Sequence, residues 1–121
     1  MPGPKANPVK PNSRHRSPGV RSGLIELPAE GCSFPVPSLP KTRDWAPEEK
    51  KLWRNLWKSP QANEWDDSFI PAVAAYICHA VAVYDGSASA WQAQEMRHLG
   101  GQLGLTPAGM LPLGWVVRHE Q

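Results

Sequence analysis

The residues best suited to chemistry in this chain are cations at helical spacing. Lys50, Arg54 and Lys58 recur every fourth position within residues 43–65, and Lys51 adjoins them. On an α-helix such residues stack one turn above another. A row of cations on a rigid rod suits contact with successive phosphates, which gives affinity without reading sequence. The plainer reading is a solvated charged face on a core helix. A second cationic group, Arg14, Arg16 and Arg21, lies near the N-terminus, where residues 12–18 are the most basic part of the chain.

Catalytic patterns are lacking. The sequence has no glycine-rich phosphate loop, no Gly-x-Ser-x-Gly elbow and no His-Glu-x-x-His. Cys78 and His79 are adjacent, so on a helix they diverge and make a poor metal pair, with no second pair to complete a site. Glu64, Asp66 and Asp67 cluster, but helix capping accounts for them better than acid–base work. His98 and His119 read as surface residues. The expectation is a protein with no catalytic residue, no metal and no cofactor.

The elements that must carry the cations follow from local signals. Pro47 suits a first helical turn, Glu48 and Glu49 follow at the positive end, and Pro60 marks the stop. A first helix over 47–58 places Leu52, Trp53, Leu56 and Trp57 on one face. Asp66 or Asp67 then caps a second helix over 68–84, in which Phe69, Val73, Tyr76, Ile77, Ala80, Val81 and Tyr84 keep three-and-four spacing. That helix is almost uncharged, so it belongs in a core or at a subunit interface. Its apolar run, residues 70–83, is interrupted by Tyr76 and His79 and reads as too short to span a bilayer. Residues 88–103 form a third helix carrying Trp91, Met96, Leu99 and Leu103. Gly100-Gly101 weakens it, consistent with a close packing or a bend. Gly104 stops it, and Thr106-Pro107 starts a last helix. Pro112 divides that element into a short turn and a second helical piece over 113–119. No stretch alternates with period two, so no strand is expected.

Composition separates two regions. Residues 1–43 hold nine prolines. They also hold seven Lys and Arg against two Glu, giving +5, which leaves −3 for the rest of a +2 chain. Such a segment supports neither helix nor ladder and reads as a disordered, polyproline-like arm seeking an anionic partner, or as an inert linker. Within it, residues 23–27 form a brief apolar island able to pack onto the body or a neighbour. Cys32 and Cys78 make no disulfide framework, and no signal-peptide pattern opens the chain, which together point to a reducing cytoplasm. The expected fold class is all-α: a small bundle of three to four helices over 44–121, after an arm over 1–43.

Arg-Asp-Trp-x-Pro at 43–47 and Leu-Trp-Arg-x-Leu-Trp-x-Ser-Pro-x-x-x-Glu-Trp at 52–65 resemble the phage terminase small subunits of actinobacterial phages. Gly-x-Leu-Gly-Leu-Thr-Pro at 101–107 and the order of helices fit the same family. The likeness covers roughly residues 40–118. Family members usually follow the Leu-Thr-Pro element with arginine-rich sequence, whereas this chain has Ala-Gly-Met-Leu-Pro at 108–112. The resemblance implies a non-enzymatic packaging protein in the host bacterial cytoplasm. It would form a homo-oligomeric ring, bind viral double-stranded DNA, and recruit and regulate the large terminase subunit, which owns the ATPase and nuclease.

On this reading Arg14, Arg16, Arg21, Lys50, Arg54 and Lys58 contact DNA. Val73, Ile77, Val81, Trp91 and Leu99, on the second and third helices, form the oligomer interface. The competing classes are a helical DNA-binding regulator acting as monomer or dimer without a motor partner, and an adaptor docking through its proline-rich segment. Solution mass separates the first two, and DNA binding separates both from the third.

Overall fold

A computed structural model describes residues 24–118. Its elements are β1 (Ile25–Pro28), α1 (Pro47–Trp57), α2 (Ile70–Tyr84), α3 (Ala90–Gln102), α4 (Pro107–Leu113) and β2 (Trp115–Arg118), with 3-10 turns at Pro60–Glu64 and Asp67–Phe69. The fold is mostly helical, as expected. α2 lies at its centre, with α1 and α3 packed against it.

The local signals place the helices well. α1 begins at Pro47, and Glu49 Oε1 accepts the Ala46 N–H at 2.8 Å, satisfying a donor at the helix entrance. Asp66 Oδ1 accepts from the Ser68 N–H at 2.9 Å and caps the 3-10 turn that feeds α2. Ser89 and Gln92 form a reciprocal capping box at the start of α3. Thr106 Oγ1 accepts from the Gly109 N–H at 2.9 Å to open α4.

Four tryptophans build the core around α1. Trp53 and Trp57 stand 5.6 Å apart, centroid to centroid, and Trp57 meets Trp65 edge-on at 5.1 Å. Trp65 is fully buried, and its indole N–H donates to the Leu103 carbonyl at 3.1 Å. Trp115 closes the far side against Gly104. Gly104 has φ +74°, and a Cβ there would collide with the Trp115 ring. Both the turn and the packing therefore require glycine.

Three expectations are corrected. Residues 24–43 are not a free arm. Leu27 and Cys32 are buried, and the Cys32 N–H donates to the Lys58 carbonyl at 3.0 Å. The Pro37 and Pro40 carbonyls accept the indole N–H groups of Trp53 and Trp45 at 2.7 and 2.8 Å. Proline lacks a donor but keeps its acceptor, and buried indoles need acceptors. A proline-rich strap meets that need. The apolar island thus packs onto the body. The remainder of the expected arm, residues 1–23, lies outside the described residues.

The second correction concerns residues 113–119. α4 continues through Pro112 to Leu113, and Gly114 at φ +74° then ends it. Trp115–Arg118 is a strand, paired in parallel with Ile25–Pro28 in the register Ile25↔Trp115. Val116 and Val117 are β-branched and favour this state once a partner strand is present. The expectation of no strand therefore fails locally.

The third concerns length. With its 3-10 entrance, the α2 segment Asp67–Tyr84 is long and apolar enough to cross a membrane by length and composition. Within the chain five residues of α2 are buried, Pro71 and Tyr84 are exposed, and the others are half-buried.

Candidate nucleic-acid interface

α1 turns two unlike faces outward and inward. Trp53 and Trp57 are buried against the core, whereas Lys50, Lys51, Arg54 and Lys58 are all exposed. Lys50 to Lys58 spans about 12 Å along the helix axis. Among the described residues the ion pairs are Arg43–Glu49 and Glu26–Arg118. The four α1 cations take part in neither, so their charge faces solvent. Lys58 is the C-cap residue, where the helix dipole favours a cation. The strap fixes this end: Gly31 sits at φ +101° directly on the Lys58 carbonyl, leaving no room for a Cβ.

Arg43 is held differently. Its guanidinium lies 2.6 Å from Glu49 Oε2, 3.4 Å from Cys78 Sγ and 4.1 Å from the centre of the Trp45 ring. Glu49 is itself buried. Arg43 thus ties the strap to α1 and α2, while its side chain stays 45% exposed. Arg14, Arg16 and Arg21 lie outside the described residues.

The expected interface residues divide. Val73 and Ile77 are fully buried in the chain's own core. They fill the face of α2 that meets its neighbours and are not available to a partner. Leu99 is half-buried and packs against the same core. Val81 is half-buried beside Leu52, Tyr84 and Asp85. Trp91 is 62% exposed, in the first turn of α3, with its ring edge-on to His79 at 5.7 Å. The carboxyl of Asp85, in the loop before α3, is held below its usual range by bonds from the Ser87 hydroxyl and amide.

A family model of the phage terminase small subunit matches residues 1–109. The chain belongs to that family. No curated protein and no solved structure matches it. The match embraces the tryptophan-rich helix and its basic face, α2 and α3, and ends within α4. β2 lies beyond it.

Two features of this small subunit escaped the sequence reading. One is the Arg43 clamp, for which the spacing Arg43 to Glu49 is no recognisable signal. The other is an open apolar hollow of 730 Å3 between α3 and α4. Its signal was present in Gly100-Gly101. Gly100 lies against the Tyr76 ring, and Gly109 of α4 approaches the Gly101 backbone closely enough to exclude a side chain at 109. The glycines mark this helix crossing, not a bend.

Proposed function

We propose that this terminase small subunit works without catalysis of its own. It binds viral double-stranded DNA, assembles with copies of itself, and recruits and regulates the large terminase subunit in the host bacterial cytoplasm. Family membership supports the packaging role. The observation that carries DNA contact is the exposed, unpaired row Lys50, Arg54 and Lys58, set on a helix whose other face is anchored by buried tryptophans. Rigid anchoring matters because each phosphate contact then costs little ordering of the backbone. Self-association is supported by α2, whose apolar surface one chain covers only in part.

Arg14, Arg16 and Arg21 add contacts from the N-terminal region. Few contacts per chain bind weakly at physiological salt, and an oligomer multiplies them through avidity. The sequence carries no recognition-helix pattern, so affinity is expected to exceed sequence preference.

The test is a salt titration of binding to a labelled DNA duplex. Replacing Lys50, Arg54 and Lys58 with alanine should reduce affinity and lower the slope of log K against log salt by about two to three. Replacing Arg14, Arg16 and Arg21 should act in the same sense. Unchanged affinity and slope in both triple variants would move the DNA contact to other residues, and no binding by the wild type would remove DNA binding from the function.

A further inference from the structure

We propose that the hollow where the start of α1 meets the end of α2 is a docking site for Arg14 and Arg16 of the same chain, which holds them back from DNA. The effect on DNA rests on the reading above; the docking does not. The hollow consists of two adjoining spaces of 530 and 330 Å3 that share Glu48, Val81 and Asp85 in their walls. Leu52 and Val81, both half-buried, and the exposed Tyr84 give it apolar surface. Asp44, Glu48 and Asp85, all exposed, give it three carboxylates. Arg43, the one cation in its lining among the described residues, is paired with a fourth, Glu49.

A missing counter-charge selects the occupant. The carboxyl end of a helix is negative and favours a cation. α2 has no basic residue in its last turn, and Asp85 follows it as the C-cap. Asp44, Glu48 and Asp85 take part in neither ion pair of the described residues. The basic row of α1 cannot serve them. Leu52, in the hollow, and Arg54, in the row, are two residues apart and so point about 200° apart around the helix. The acidic hollow and the basic row lie on opposite flanks of α1.

Residues 1–23 supply the missing charge. They hold Lys5, Lys10, Arg14, Arg16 and Arg21 and no acid. Arginine suits the hollow best, because its planar guanidinium can stack on an aromatic ring while donating to a carboxylate. Tyr84 stands beside Asp85 and Glu48 for that purpose. The chain's own segment is long enough. Arg14 precedes Leu24 by ten residues, up to about 33 Å of extended chain. The strap is bonded to Lys58, and from Lys58 to Glu48 is about 15 Å along α1. An arginine seated in the hollow is not free to meet a phosphate, so DNA must displace it.

The experiment is disulfide trapping in the full chain. Cys78 lines the hollow, whereas Cys32 is buried. S13C puts a thiol beside Arg14, and a glutathione redox buffer reads the effective concentration of that thiol at Cys78. The disulfide should form within one chain of 13.3 kDa. Its effective concentration should fall about threefold or more with E48Q and D85N, and likewise with R14A and R16A. Glu48 and Asp85 are exposed, so these variants should fold, as far-ultraviolet circular dichroism would verify. Equal effective concentrations in all backgrounds, or a disulfide from S13C to Cys78 of another chain, would overturn the docking. A second measurement is binding to a labelled DNA duplex. E48Q with D85N should bind about threefold tighter than wild type or better, and the gain should shrink when R14A and R16A are also present. Equal gains in both backgrounds overturn the competition with DNA. A wild type that binds no DNA overturns the function proposed above, while the trapping result still decides the docking.

Discussion

Trp53 donates its indole N–H to the carbonyl oxygen of Pro37 at 2.7 Å. The contact joins the middle of α1 to a segment whose composition suggests no structure at all. Trp45 and Pro40 repeat the arrangement at 2.8 Å. The strap over 29–43 is therefore part of the fold. Trp53→Phe should cost about 1–3 kcal/mol, from a lost hydrogen bond and a smaller ring in a close-packed site. Urea unfolding measures it. A change within about 0.5 kcal/mol would mean the strap does not hold Trp53.

Ile77 is fully buried in the monomer. Ile77→Asp should therefore unfold the chain and not merely disperse an oligomer, because it leaves a charge unpaired in the core. Ile77→Val should cost only about 0.5–1.5 kcal/mol. Circular dichroism with sedimentation separates the outcomes. A folded, monomeric Ile77→Asp protein would return Ile77 to the interface.

Gly104→Ala should destabilise by about 1–3 kcal/mol or more. The backbone is at φ +74°, and the added methyl meets the Trp115 ring. Thermal melts should show the loss. Gly101→Ala, where the methyl meets no atom within 4 Å and the site is helical, should be stabilising by about 1 kcal/mol or less.

Tyr76 has its phenol pushed above the ordinary value of 10.0, first by burial and then by its neighbour Tyr84. The raised folded-state value means the neutral form is favoured in the native protein. That contribution is complete below pH 10 and is lost as pH rises through the folded-state value. Melting temperature should fall above about pH 10, and Tyr76→Phe should flatten the fall. A profile identical to wild type would place the alkaline transition elsewhere.

The helices were legible because their determinants are local. Pro47, Asp66, Gly104 and Thr106-Pro107 each act within one turn of their own position, and the three-and-four spacing of the apolar residues needs no knowledge of a partner. The basic row Lys50, Arg54 and Lys58 was legible for the same reason. Which apolar residues face inward was harder. Val73, Ile77, Val81 and Trp91 look alike in sequence, yet the first two are buried, Val81 is half covered and Trp91 stands in solvent.

By itself the sequence determined that this chain has three long helices near 47–58, 68–84 and 88–103 and the start of a fourth at Thr106-Pro107, carries a tryptophan seam backed by cations, and lacks the motifs of common catalysts. Only the tertiary structure decided the fate of residues 24–43 and 114–118. A strand is defined by its partner, and Ile25 and Trp115 come from distant parts of the chain. No local window contains both. The strap is defined by indole donors on α1 that its own prolines cannot reveal. Pairing energy between distant segments exists only once α1, α2 and α3 have brought them together. Local propensity therefore misread the strap as an arm and the last strand as a helix.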